Sequence, residues 1–120
     1  MANHSLHGKT VLITGGAKNL GRLVARDLSA HGAGRIVIHY HNPADAEAAQ
    51  DTVREIEHNG AQGFSVQADL TRPGAVASLF TQAKTLAGAP DSAINTVGKV
   101  LKKPILEPTD EEYEARFAVN

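Results

Sequence analysis

Short apolar runs rich in β-branched residues alternate along the chain with longer stretches whose apolar residues recur every three or four positions. The short runs are typical of buried β-strands and the longer stretches of amphipathic helices. Strands are predicted over residues 9–14, 35–40, 63–68 and 92–98. Helices are predicted from about residue 20 to Gly32, from about 43 to 58, through 76–86, and from Thr109 onward.

Each predicted helix carries an apolar stripe that we expect to face inward. The stripes consist of Leu20, Leu23, Val24 and Leu28 in the first helix, Ala49, Val53 and Ile56 in the second, and Val76, Leu79, Phe80, Ala83 and Leu86 in the third. The last helix opens on a capping-box pattern, Thr109 with Glu112, and places Tyr113, Phe117 and Asn120 on one side.

The strict alternation of strands and helices predicts an α/β fold, a doubly wound parallel sheet of the Rossmann type covered by helices on both faces. The 120 residues suit one domain, residues 1–120. Because the last predicted helix ends at Asn120 with an apolar stripe still to be covered, we expect the chain to be a truncated part of a longer domain.

Composition narrows the function classes. With 12 basic and 13 acidic residues the formal net charge is -1, so we expect neither nucleic acid nor a membrane as a partner. There are no cysteines, which excludes disulfides and thiolate chemistry. No leader-like or membrane-spanning apolar run is present, and a cytoplasmic protein is expected. His39 and His41 share a strand face, but no third ligand at supporting spacing favours a metal site.

A glycine-containing turn, residues 14–21, lies between the first strand and the first helix. At such a place backbone N–H groups and the helix dipole together attract a pyrophosphate. Gly15 is predicted to form the tight turn, and Gly21 to let helix and strand pack closely. Asn19 stands where glycine is usual, and asparagine tolerates left-handed backbone angles. An ordinary turn without a ligand is the alternative interpretation.

The ordered set of these features resembles the N-terminal half of the short-chain dehydrogenase/reductase family. Thr14, Gly15 and Gly21 match its T-G-x-x-x-G-x-G turn, from which Asn19 departs. Lys18 favours the shorter branch of the family over the branch that acts on nucleotide sugars. The resemblance adds three further matches along the chain: Asp69 and Leu70 for the residues that hold adenine, Asn95, Thr96, Val97 and Gly98 for the N-N-A-G strand, and Asn120 for the catalytic asparagine.

The nicotinamide dinucleotide is predicted to be NADP, with NAD less favoured. An NAD site needs a carboxylate at the end of the second strand, but this strand ends in Tyr40, His41 and Asn42, with no acid before Asp45. Lys18 is instead placed to reach the 2′-phosphate of NADP. A solvated lysine at position 18 and a helix-capping Asn42 are the alternatives, as is a turn in which Asp69 is followed by Thr71 capping the third helix.

The cofactor-binding residues predicted in this way are Gly15, Lys18, Asn19, Leu20, Gly21, Tyr40, His41, Asn42, Asp69, Leu70, Asn95, Thr96, Val97 and Gly98. The resemblance implies an oxidoreductase acting on a small-molecule carbonyl or alcohol, with a tyrosine as acid/base and a lysine four residues later. Neither tyrosine of this chain has such a lysine, and Asn120 alone matches the catalytic set.

Two functions therefore stay open. The first is the cofactor half of an NADP(H)-dependent reductase, whose full-length form is expected to be a homo-oligomer. The second is a dinucleotide-binding module that senses or sequesters cofactor without turnover.

Overall fold

The structure, a computed structural model, describes residues 6–96. Within these residues, four strands alternate with three α-helices: β1 (Thr10–Thr14), α1 (Asn19–Ala30), β2 (Arg35–Tyr40), α2 (Ala46–His58), β3 (Gln62–Gln67), α3 (Ala75–Ala87) and β4 (Ser92–Asn95). A single 3-10 turn, Pro43–Asp45, leads into α2. The predicted residues Val97, Gly98 and Asn120, and the predicted helix from Thr109, lie outside the described residues.

All four strands are parallel and are ordered β3-β2-β1-β4. Leu12 in β1 pairs with Val37 of β2 on one side and with Ala93 of β4 on the other. The chain therefore adds strands outward from β1 in one direction and then crosses to its other side. The predicted doubly wound sheet is confirmed, and the place where the direction reverses lies between β1 and β4.

Alternate strand residues feed two apolar cores, one on each face of the sheet. Leu12 and Val37 point toward α3, where they pack with Leu79 and Phe80. Val11, Ile13, Ile36 and Ile38 point to the opposite face, where α1 and α2 cover them. The near-continuous apolar runs of β1 and β2 are explained by this burial on both faces.

The predicted inward stripe of α1 is wrong in part. Leu20 and Leu23 are 60% and 58% exposed, whereas the buried positions are the small residues Gly21, Ala25 and Ser29. These recur at a spacing of four, so they form one narrow face, and small side chains there let the helix approach its neighbours closely.

The other helix faces agree better with their patterns. Ala49, Val53 and Ile56 are buried in α2 as predicted. In α3 the predicted set is buried except for Leu86, which is 44% exposed, and Ala87 takes the inward position instead.

Element boundaries differ from the predictions at three places. The second helix begins as a 3-10 turn because Asn42 Oδ1 accepts the Ala44 N–H at 2.9 Å and Asn42 O accepts the Asp45 N–H at 2.8 Å. α3 begins after Gly74, which has a φ of +78°, so Thr71 does not cap it. β4 is a strand only as far as Asn95. Within residues 6–96, no helix has the length and apolar character needed to cross a membrane.

Candidate functional site

A cleft of about 250 Å³ opens beside the turn that joins β1 to α1. It lies where the carboxyl ends of parallel strands meet, and it reaches from β2 across β1 to the end of β4. Its lining residues are Gly15, Ala17, Lys18, Asn19, Leu20, Gly21, Tyr40, His41, Asp45 and Thr96. Open parallel sheets bind ligands at this edge, next to the point where the strand order reverses.

The turn itself depends on left-handed backbone angles. Gly15 has a φ of +73° and Asn19 a φ of +58°, and Asn19 is the one non-glycine residue with positive φ in the described part of the chain. These angles agree with the tight turn predicted at Gly15 and with the left-handed backbone that asparagine was expected to tolerate at position 19. Gly21 comes so close to the turn that an added Cβ would lie 2.0 Å from the Gly15 carbonyl oxygen and 2.8 Å from the Gly16 Cα. The close approach predicted for Gly21 is thus between helix and turn.

The N-terminus of α1 is open to an anion. Lys18 precedes the helix with extended backbone, no side chain caps the first turn, and that turn contains no acidic residue. Its unpaired backbone N–H groups and the positive end of the helix dipole border the cleft. This arrangement is suited to an anion, and the binding of a pyrophosphate at this turn stays a prediction.

His39 fastens the turn to the sheet. The side chain is 1% exposed, Nδ1 accepts the Gly15 N–H at 3.2 Å, and Nε2 donates to the Ala68 carbonyl at 2.8 Å. Its own carbonyl accepts the Gly16 N–H at 2.9 Å. Because Gly15 brings a donor and Ala68 an acceptor, only the neutral ring with its proton on Nε2 satisfies both partners.

Burial is the main cause that lowers the pKa of His39 below its ordinary value of 6.5, against the opposing hydrogen bond to Ala68. Since the unfolded chain takes up the proton more readily, the stability that depends on His39 is complete above that pH and is lost as the pH falls below it. We expect the free energy of unfolding to drop by up to about 1.4 kcal/mol per pH unit there. Urea unfolding between about pH 8 and pH 5.5 measures this, and His39→Asn, which cannot titrate, should flatten the slope. Equal slopes in both proteins would contradict this role for the ring.

The end of β4 is tied to β1 by side chains. The Thr14 hydroxyl donates to Asn95 Oδ1 at 3.0 Å. The Thr96 N–H donates to the Thr14 carbonyl at 3.3 Å, and the Thr96 hydroxyl donates to that same oxygen. Thr96 departs from the family's strand pattern, yet it still supplies hydrogen bonds that hold the two strand ends together.

Asp45, which carries a carboxylate, is among the residues that line the cleft. Asp45 Oδ1 lies 3.2 Å from Lys18 Nζ. The sequence places no acid at the end of β2 itself, but the 3-10 turn brings Asp45 back beside that strand end. The prediction that no negative charge lies near the end of β2 is therefore wrong. Asn42 caps the 3-10 turn and is not among the cleft-lining residues.

Asp69 lies just beyond β3, next to His41. Its Oδ1 accepts hydrogen bonds from the Thr71 N–H at 3.0 Å and from the Thr71 hydroxyl, and it lies 3.6 Å from His41 Nδ1. Both hydrogen bonds from Thr71 lower the pKa of Asp69, and the bond from the hydroxyl has the larger effect. The local turn predicted as the alternative for Asp69 is thus present. The Leu70 side chain lies in the core and not in the cleft.

The structure brings most of the predicted site residues together. Those that line the cleft are Gly15, Lys18, Asn19, Leu20, Gly21, Tyr40, His41 and Thr96. Of the other predicted residues, Asn42 caps the 3-10 turn, Asp69 lies 3.6 Å from His41, Leu70 packs in the core, and Asn95 accepts a hydrogen bond from Thr14. Ala17, His39 and Asp45 belong to the site or support it, but they were not predicted from the sequence. A polar histidine inside an otherwise apolar strand was the available signal for His39, because buried polar groups need fixed partners.

Comparisons with known proteins identify a family model and related reductases that match nearly the whole chain. The family model of the KR domain matches residues 9–119. Among curated proteins, the versicolorin reductase of Emericella nidulans is 36% identical over 118 residues, which are 98% of this chain and 44% of that reductase. This chain thus spans less than half the length of that relative.

Solved structures give the same result. A structure described as a dehydrogenase of Burkholderia cenocepacia with bound NADP is 51% identical, with a TM-score of 0.76 over 94% of this chain and 43% of that protein. A short-chain dehydrogenase of Oenococcus oeni is 42% identical, with a TM-score of 0.74 over 94% of this chain and 48% of that protein.

Proposed function

Because this chain belongs to the short-chain dehydrogenase/reductase family, we propose that it forms the dinucleotide site of an NADP(H)-dependent oxidoreductase that acts on a small-molecule carbonyl or alcohol. One observation carries the proposal: the uncapped N-terminus of α1 and the left-handed turn at Gly15 and Asn19 open into the same cleft. A helix end without a capping side chain or an acid in its first turn is suited to a phosphate group.

Different residues of the cleft are proposed to bind different parts of the dinucleotide. Gly15, Asn19 and Leu20 line the cleft at the turn, and their backbone would border the pyrophosphate. The end of β4 at Thr96 lies on the side of β1 where the nicotinamide half would extend. Bound NADPH would supply the hydride, and the residues that line the cleft would bind and orient the dinucleotide.

The adenosine half is proposed to lie at the ends of β2 and β3. Tyr40 and His41 border the ribose, and Asp69 is held 3.6 Å from His41 at the adenine end. Lys18 is proposed to bind the 2′-phosphate because it lines the same cleft as Tyr40 and His41 and carries a positive charge. The NADP in the Burkholderia structure supports this choice of dinucleotide.

Lys18→Ala is expected to weaken NADPH binding about tenfold and NADH binding less than twofold, since only NADPH has the phosphate that the ammonium group would contact. Fluorescence titration of the purified protein with each nucleotide measures both dissociation constants. Lys84→Ala is the matched control, because Lys84 is an exposed lysine of α3 that does not line the cleft. Equal losses for both nucleotides in Lys18→Ala would refute the phosphate role.

A further inference from the structure

The ion pair between Lys18 and Asp45 occupies the place where the proposed function puts the 2′-phosphate. The two charged atoms are 3.2 Å apart, and both residues line the cleft. The Lys18 side chain is 57% exposed and that of Asp45 is 24% exposed. A phosphate that approaches the ammonium group therefore meets a carboxylate already bound to it.

The backbone of Asp45 is fixed in this position. Its N–H donates to the Asn42 carbonyl at 2.8 Å, and the Asn42 side chain closes the same 3-10 turn by accepting from Ala44. Asp45 directly precedes α2, where an aspartate commonly caps the helix, but its carboxylate makes no capping hydrogen bond. The carboxylate is instead directed to Lys18.

We propose that Asp45 is a specificity-determining residue that opposes the 2′-phosphate, both by pairing with Lys18 and by placing a negative charge beside it. This inference rests on the proposed function, in which Lys18 binds that phosphate. A phosphate and a carboxylate that share one ammonium group repel each other, whereas the ribose hydroxyl of NAD carries no charge to be repelled. Asp45 thus narrows the preference for NADP over NAD that Lys18 creates.

Asp45→Asn tests this directly, because the amide keeps the size of the side chain and removes its charge. NADPH should bind about three- to tenfold more tightly, as expected for removing an exposed pairing partner together with a nearby like charge. The ratio of the NADH and NADPH dissociation constants should rise by a similar factor. Unchanged or weaker NADPH binding would overturn the inference.

Glu47→Gln is the matched control. Glu47 is an exposed acid two residues further along, in the first turn of α2, and it does not line the cleft. It removes the same unit of charge from the same segment, so a general electrostatic effect would tighten NADPH binding equally in both variants. The inference requires a larger gain in Asp45→Asn than in Glu47→Gln, and equal gains would overturn it.

The double variant Lys18→Ala with Asp45→Asn separates this inference from the proposed function. If the Asp45 carboxylate and the 2′-phosphate compete for Lys18, the gain in NADPH affinity from Asp45→Asn should be smaller when Lys18 is absent. If Lys18→Ala weakens NADPH and NADH equally, the proposed function fails. If Lys18→Ala acts selectively on NADPH and Asp45→Asn brings no gain, this inference alone fails.

Discussion

Gly21→Ala should raise the dissociation constant for NADPH about 100-fold. The new Cβ would lie 2.0 Å from the Gly15 carbonyl oxygen and 2.6 Å from its carbonyl carbon. Both are backbone atoms, so no side chain can rotate away, and helix α1 must move from the turn. Overpacking of this kind costs about 1–3 kcal/mol, and about 3 kcal/mol placed on the binding conformation is a factor of about 100.

Gly60→Ala is the matched control for this variant. Gly60 has a φ of +100°, so alanine is strained there, but nothing lies within 4 Å of the added Cβ. We expect a loss of about 1 kcal/mol in the free energy of unfolding and unchanged NADPH binding. Titration of both variants decides the matter. If Gly21→Ala bound NADPH as tightly as Gly60→Ala does, the turn would not be the pyrophosphate site.

His39→Leu should lower the free energy of unfolding by about 3 kcal/mol. Leucine is apolar and of comparable size, but it leaves the Gly15 N–H and the Ala68 carbonyl without the ring that now satisfies them at 3.2 and 2.8 Å. An unsatisfied buried polar group costs about 1–3 kcal/mol, and both groups are only partly buried. Urea unfolding at about pH 8, where the ring is neutral, measures the loss.

His39→Asn supplies the comparison. An asparagine oxygen can take the place of Nδ1 and accept the Gly15 N–H, but the shorter side chain cannot span to Ala68. We expect a loss about half that of His39→Leu, with the turn and NADPH binding largely kept. Equal and small losses in the two variants would show that the hydrogen bonds of His39 do not hold the turn.

The order of elements could be predicted because β1 and β2 are short apolar runs and because α2 and α3 carry regular apolar stripes. The left-handed turn was also within reach, since glycine and asparagine are the residues that such angles favour. The predicted stripe of α1 is wrong at Leu20 and Leu23 because periodicity alone does not distinguish an exposed leucine from a buried one. The fully buried positions of α1 are Gly21, Ala25 and Ser29, which carry little hydrophobic signal, while Val24 and Leu28 pack partly buried against the same core.

The charges of the site could not be placed from the sequence. Asp45 is separated from the end of β2 by several residues, and only the 3-10 turn shows that the chain doubles back toward Lys18. His39 and His41 look equivalent in the sequence, yet one is buried and the other exposed. Side-chain partners that belong to different segments are set by tertiary contacts, which a local pattern does not contain.

Titration of the purified protein with NADPH and with NADH, followed by nicotinamide fluorescence and by the thermal midpoint, tests whether the cleft binds NADP in preference to NAD. A ligand that binds only the folded state raises the midpoint. We expect both nucleotides to bind at the turn, and we expect NADPH to bind more tightly and to raise the midpoint further. Tighter binding of NADH, or no binding of either nucleotide, would contradict this expectation.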